Sequence, residues 1–162
     1  MACLSGCGRS ALSEKTYPIG SAAEVGPLTY AIVGTEWHGS LQGERGPRVP
    51  SGRFLILTIS VTNKTPDAVT MPLLSLVNAS GEPYLELDNG DGLSNWMGMF
   101  RSIPGNGAEG GQIVFDVPAE KGPFKLRVSS GGDVDKEKTA LIEVADEKAA
   151  PGGGPMPEVQ VK

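Results

Sequence analysis

The segment Arg53–Asn63 restricts the possible folds of this chain more than any other part of its sequence. Its side chains alternate between two faces, with Leu55, Leu57, Ile59 and Val61 on one and Phe54, Ile56, Thr58, Ser60 and Thr62 on the other. A period of two over this length predicts a β-strand. Apolar residues on both faces are typical of a strand at the centre of a two-layer core. The segment therefore predicts a layered β-fold.

Short strands separated by turn clusters are the pattern of the whole middle of the chain. Further alternating segments occur at residues 28–37, 69–77, 84–87, 111–117, 124–129 and 139–145. The 23 Gly and 13 Pro among 162 residues favour a turn-rich fold, and helix-length apolar periods are absent from the sequence. We therefore predict an all-β fold, an immunoglobulin-like β-sandwich of about seven antiparallel strands over residues 24–146, with a β-barrel as the rival.

The two ends of the chain differ in composition from this middle part. Residues 8–23 are rich in Ser, Ala, Gly and Thr without an apolar period, which predicts a flexible linker. Residues 147–162 include the run Ala-Ala-Pro-Gly-Gly-Gly-Pro-Met-Pro, and this density of Pro and Gly predicts a disordered tail.

Both cysteines, Cys3 and Cys7, lie ahead of every segment that can form a core, so neither can cross-link two of the predicted strands. The sequence Leu4-Ser5-Gly6-Cys7 resembles the lipobox of bacterial lipoproteins. The resemblance implies that residues 1–7 are the remnant of a lipoprotein signal peptide and that Cys7 carries a lipid. We then expect a basic and apolar leader before Leu4 in the precursor. The alternative is an unanchored cytoplasmic β-sandwich in which the four-residue match is accidental.

Several segments, taken in order, resemble the DUF4352 family. They lie at residues 25–30, 36–37, 52–63, 78–84, 103–105 and 110–118, and the last contains Phe115-Asp116-Val117-Pro118. The resemblance extends over residues 25–144. It implies a secreted or lipid-anchored immunoglobulin-like sandwich of a kind found mostly in bacterial lipoproteins. It supplies no catalytic residues to carry over.

Charge and residue types argue against two functional classes. The formal net charge is −5, and the 14 Lys and Arg residues are scattered, which argues against nucleic acid as a partner. A Ser, Cys or Thr nucleophile needs a neighbouring base, yet the only histidine is His38 and no Gly-x-Ser-x-Gly elbow occurs. We therefore predict a protein that is not an enzyme and needs no cofactor.

The segment at residues 88–102 is the best candidate for a partner-binding loop, because loops at the ends of a sandwich carry function. Trp96 and Phe100 are its large apolar groups, and Arg101 offers a charged contact. The competing interpretation is that the aromatic residues fold inward as a lid on the core. An alternative function is copper handling, since the thioethers of Met97 and Met99 with the imidazole of His38 suit Cu(I).

Together these features predict a non-enzymatic binding or assembly module of the bacterial cell envelope. We expect it to be attached to a membrane by a lipid on Cys7 and to face the periplasm or the cell exterior. Its partner would be a protein or another component of the envelope.

Overall fold

The computed structural model describes residues 14–132 and 134–146. The predicted signal-peptide remnant 1–7, residues 8–13 of the predicted linker and the predicted tail 147–162 lie outside the described residues. The strands are β1 Lys15–Tyr17, β2 Ala23–Val25, β3 Leu28–His38, β4 Leu41–Gly43, β5 Gly46–Arg48, β6 Arg53–Asn63, β7 Val69–Met71, β8 Ser75–Val77, β9 Pro83–Leu85, β10 Arg101–Ile103, β11 Ala108–Val117, β12 Lys125–Ser129 and β13 Thr139–Glu143. Two short 3₁₀ helices span Ala119–Lys121 and Val134–Lys136. In this part of the chain no helix is long and apolar enough to cross a membrane.

Two main sheets pack face to face, which confirms the predicted all-β sandwich. The front sheet has the strand order β11-β6-β3-β2, and the back sheet has the order β1-β13-β12-β8-β9. Two further two-stranded sheets, the β4–β5 hairpin and the antiparallel pair of β7 with β10, complete the described fold. Each of the seven predicted segments overlaps a strand, and the additional strands are only three residues long.

Strand β6 has buried apolar residues on both of its faces, as its sequence predicts. Leu55, Leu57, Ile59 and Val61 face the main core between the sheets, where Ile113, Phe115, Leu126, Val128 and Ile142 also lie. Phe54 and Ile56 face the opposite side and form a second, smaller core with Leu41 and Val114. The β4–β5 hairpin and the partly buried Leu87 and Leu93 cover this second core.

A buried tyrosine connects the two sheets across the main core. Tyr30 of β3 is fully buried and donates its hydroxyl hydrogen to the backbone oxygen of Ser129 in β12, at 2.6 Å. A buried hydroxyl without a partner would cost free energy, so this bond favours one alignment of the two sheets.

The folded part begins earlier than the sequence predicts, and this corrects the boundary of the linker. Residues 15–17 of the predicted linker 8–23 form β1, which pairs in parallel with β13. The carboxylate of Glu14 accepts hydrogen bonds from Arg127 at 2.6 and 2.9 Å and from the hydroxyl of Thr139 at 2.6 Å. The composition of residues 8–23 conceals these contacts because both partners lie more than a hundred residues further along the chain.

The attachment of β1 predicts a pH-dependent contribution to stability. The hydrogen bond from Arg127 lowers the pKa of Glu14 below its ordinary value of 4.5. A lowered carboxyl pKa stabilises the fold above pH 4.5, and this contribution is lost as the pH falls through the lowered value. Glu14→Gln should therefore reduce the thermal midpoint at pH 7, and the difference from wild type should vanish under acid conditions.

The control for this measurement is Glu24→Gln. Glu24 pairs with Lys64 at 2.8 Å, but both side chains are more than half exposed, so solvent screens the pair. We expect little change in its thermal midpoint at any pH. A deficit of Glu14→Gln that stays constant from pH 7 to pH 3 would contradict the role of the Glu14–Arg127 contact.

Candidate functional site

The segment at residues 88–102, here called the 88–102 loop, is fastened to the outer edge of β11. The amide of Gln112 donates to the backbone oxygen of Asn95 at 2.7 Å, and the amide of Met97 donates to the backbone oxygen of Gln112 at 3.0 Å. The side-chain oxygen of Gln112 accepts hydrogen bonds from the amides of Ser94 and Asn95, both at 3.1 Å. The loop thus pairs with β11 much as an additional strand would.

Trp96 acts as a lid in this arrangement. Its side chain is half-buried, and a Cβ atom added to Gly90 would lie 2.0 Å from Cγ of Trp96, so the indole packs directly on that glycine. Next to it, Met97 packs against the main core and lies over Gly111. Trp96 is therefore a lid over Gly90 of its own loop, whereas Met97 is packed against the main core.

Arg101 is buried, which corrects its predicted role as a charged surface contact. Its guanidinium forms a bidentate ion pair with the carboxylate of Glu86, and both side chains are almost completely inaccessible to solvent. Leu74 donates its amide hydrogen to the same carboxylate at 2.9 Å. Because its donors are used inside the protein, Arg101 is not part of the exposed surface of the loop.

Glu86 is the residue of this region that sequence reasoning missed. Desolvation raises the pKa of its carboxyl, whereas the hydrogen bonds from Arg101 act in the opposite direction. Alternation in Leu85-Glu86-Leu87 would place the leucines inward and Glu86 outward, whereas Leu85 is largely exposed and Glu86 is buried, so this local pattern pointed the wrong way. Loss of one partner from a buried pair typically costs about 3–5 kcal/mol, so this pair holds the base of the loop in place.

The ion pair positions a tight turn at residues 98–101, here called the 98–101 turn. Nε of Arg101 donates to the backbone oxygen of Gly98 at 2.7 Å and closes the turn. Gly98 has φ +81°, a left-handed conformation that glycine adopts without steric cost. Met99 and Phe100 form the tip, and their exposed fractions are 41% and 93%. Phe100 is thus displayed to solvent beside an immobilised arginine.

Two open concavities flank the lid. One, of about 530 Å³, lies between Trp96, residues 89–93 and the β4–β5 hairpin. There the backbone amide of Glu44 donates a hydrogen bond to the carboxylate of Asp91 at 3.1 Å. The side chain of Arg48 donates another to the backbone oxygen of Asp91. The other, of about 400 Å³, lies beside Phe100. The contacts that attach the β4–β5 hairpin to Asp91 therefore lie at the border of the first concavity.

The residues of the copper alternative are not brought together. His38 pairs in register with Phe54 and hydrogen-bonds Glu36 at 2.9 Å. Met97 lies over Gly111, whose register partner is Ile59. Phe54 and Ile59 are five residues apart on β6, which corresponds to about 17 Å along the strand. His38 therefore lies far from Met97, and no group of three or more His, Cys, Asp or Glu side chains suited to a metal occurs among the described residues.

No family model matches this chain. No curated protein matches it either. The resemblance to the DUF4352 family therefore remains a prediction from sequence.

Solved structures share the fold. The secreted protein MPT63 from Mycobacterium tuberculosis is 16% identical, with a TM-score of 0.57 over 82% of this chain and 99% of that protein. A β-sandwich protein from Clostridium difficile, described as uncharacterized, is 12% identical, with a TM-score of 0.51 over 86% and 99% of the two chains. The putative lipoprotein ycdA from Bacillus subtilis is 15% identical, with a TM-score of 0.52 over 79% of this chain and 40% of that protein. Identities this low establish a common fold alone.

The different environments of Trp96 and Phe100 predict opposite effects of truncation. Trp96→Ala should reduce the free energy of unfolding by about 2 kcal/mol, less than for a fully buried aromatic side chain. Phe100→Ala should change it by less than about 0.5 kcal/mol, because almost the whole ring is already in water. Urea denaturation of both variants measures the difference. Equal destabilisation, or the reverse order, would contradict the lid.

Proposed function

We propose that this chain is a non-enzymatic, lipid-anchored module of the bacterial envelope that binds a partner protein through the tip of the 98–101 turn. The observation that carries the proposal is the exposure of Phe100, 93%, on a turn closed by a buried arginine. Binding of this kind needs no chemical step, and the proposal assigns no reaction to the chain. It also includes membership of the DUF4352 family, which the order of the sequence segments supports.

A fixed aromatic tip suits protein recognition for an energetic reason. Single exposed apolar side chains are common, so exposure alone is a weak argument. Here the Arg101–Glu86 ion pair and the bond to Gly98 order the backbone before any partner arrives. Ordering that precedes binding reduces the entropy lost on association. Aromatic side chains supply much of the binding energy in interfaces, and Phe100 is available for this role.

Two independent observations support an extracytoplasmic location. One protein that shares the fold is secreted and another is a putative lipoprotein. The sequence Leu4-Ser5-Gly6-Cys7 resembles a lipobox, with the cysteine at the position that receives the lipid. Cys7 is seven positions before Glu14, where the described fold begins. Such a segment spans at most about 25 Å, so a lipid on Cys7 would keep the sandwich close to the bilayer.

Replacement of Cys7 tests the anchor. With the chain expressed from its own gene, Cys7→Ser should move the protein from the membrane fraction to the soluble fraction, because the serine hydroxyl cannot take the thioether-linked lipid. Cys3→Ser is the matched control and should leave the protein in the membrane fraction. An unchanged membrane fraction for Cys7→Ser would refute lipidation at this site.

Partner capture from the envelope fraction tests the proposed tip. Phe100→Ala should abolish capture of proteins that the wild-type chain retains, while its thermal midpoint stays the same. The matched control is Leu85→Ala, since Leu85 is another large apolar residue with most of its side chain in water. Retention of the same proteins by the Phe100→Ala variant would rule out the tip as the contact.

A further inference from the structure

The outer edge of β11 is open where the strand begins, beside the 98–101 turn. At Gln112 the 88–102 loop covers this edge through the backbone hydrogen bonds described above. In the described part of the chain, no strand or bridge covers the outer side of residues 108–110. The backbone groups of an antiparallel strand alternate between its two sides, so those of Gly110 point the same way as those of Gln112. Gly110 therefore presents a free backbone donor and a free acceptor.

The concavity of about 400 Å³ beside Phe100, here called the tip groove, lies against this open edge. Its lining includes Phe100 and Ser102 on one stretch of the chain and Glu109 and Gly110 on β11. All four residues are exposed. The tip groove thus brings an aromatic ring, a carboxylate and a free strand edge to one place.

The tip groove carries an unbalanced negative charge. Its lining contains two ionisable residues, Arg101 and Glu109. Arg101 is buried and neutralised by Glu86, whereas the exposed carboxylate of Glu109 has no ion pair or hydrogen bond within the described residues. An acidic ligand meets repulsion at this carboxylate, and a basic ligand meets an unpaired charge of the opposite sign.

The ring of Phe100 also favours a basic side chain. A Lys or Arg head over the face of an aromatic ring gains a cation–π attraction, and its aliphatic stem covers apolar surface. The fold already contains one such contact, in which the guanidinium of Arg48 lies 5.3 Å from the ring centroid of Phe54. Because Phe100 and Glu109 line the same space, one long basic side chain is able to contact both.

We propose that the tip groove binds an extended segment of the partner protein that carries a Lys or Arg side chain. The segment pairs with the backbone of Gly110, its cationic head lies at Glu109, and Phe100 covers its aliphatic stem. Pairing with a strand edge supplies affinity through main-chain hydrogen bonds, and the groove for one side chain supplies specificity. This inference rests on the proposed function, and it adds the chemical class that the tip recognises.

A peptide titration followed by NMR tests the basic segment directly. The probe is a short peptide of alternating Val and Thr with one central Arg, blocked at both ends, and its partner probe has Gln in place of Arg. The Arg peptide should shift the amide signal of Gly110 and bind about fivefold more tightly than the Gln peptide, because only Arg pairs with Glu109.

The preference for Arg should depend on one carboxylate. In the Glu109→Gln variant we expect the two peptides to bind within about twofold of each other. Glu120→Gln is the matched control, since it removes the same charge from an exposed residue outside the tip groove. It should keep the full preference for the Arg peptide.

Three results would overturn the proposal. The first is an unchanged Gly110 signal at millimolar Arg peptide, and the second is equal affinity of the wild-type chain for the two peptides. The third is an equal loss of the preference in Glu120→Gln and Glu109→Gln, because this would reflect the overall charge of the chain.

Failure of this inference is distinguishable from failure of the proposed function. If Phe100→Ala loses its envelope partners while the two peptides bind equally, the tip remains the contact and the basic segment is refuted. If Phe100→Ala retains those partners, the tip itself is refuted.

Discussion

The burial of both faces of β6 is the constraint on which the rest of this structure depends. A strand with apolar residues on both faces needs cover on each side, and the described fold supplies it in two different ways. The back sheet covers one face across the main core. The β4–β5 hairpin, Leu87 and Leu93 cover the other face. Since β3 and β11 pair along its two edges, β6 contacts most of the structural units of the protein.

The hairpin that covers the second core also determines where the 88–102 loop begins. Asp91 contacts the hairpin, and the next part of the loop crosses to the edge of β11, where Trp96 packs on Gly90. The buried Arg101–Glu86 pair then fixes the other end of the loop. A buried ion pair contributes little net stability compared with apolar residues of the same size, but it tolerates few alternative geometries. In this protein the pair closes the turn that carries Phe100.

The two edges of the front sheet are protected to different extents. At one edge, the 88–102 loop hydrogen-bonds the backbone of β11, and Leu87 donates a further bond to Val114 at 2.8 Å. At the other edge, β2 is too short to cover β3, and the bulge at Val33 is the structural irregularity found there. Bulges disturb the regular pairing of an edge and reduce its tendency to associate with other strands.

The sequence by itself determined the longer strands, because alternation over several residues is a local property that burial on one or two faces imposes directly. It predicted β3, β6, β11, β12 and β13, apolar residues on both faces of β6, and the two-layer architecture. Contacts between residues distant in sequence were decided only by the tertiary structure. Glu14 joins the fold through Arg127, Arg101 turns inward to Glu86, and His38 lies at a different level of the sheet from Met97. No local pattern encodes such pairings, because each depends on which strands become neighbours, and that is settled when the whole core is buried.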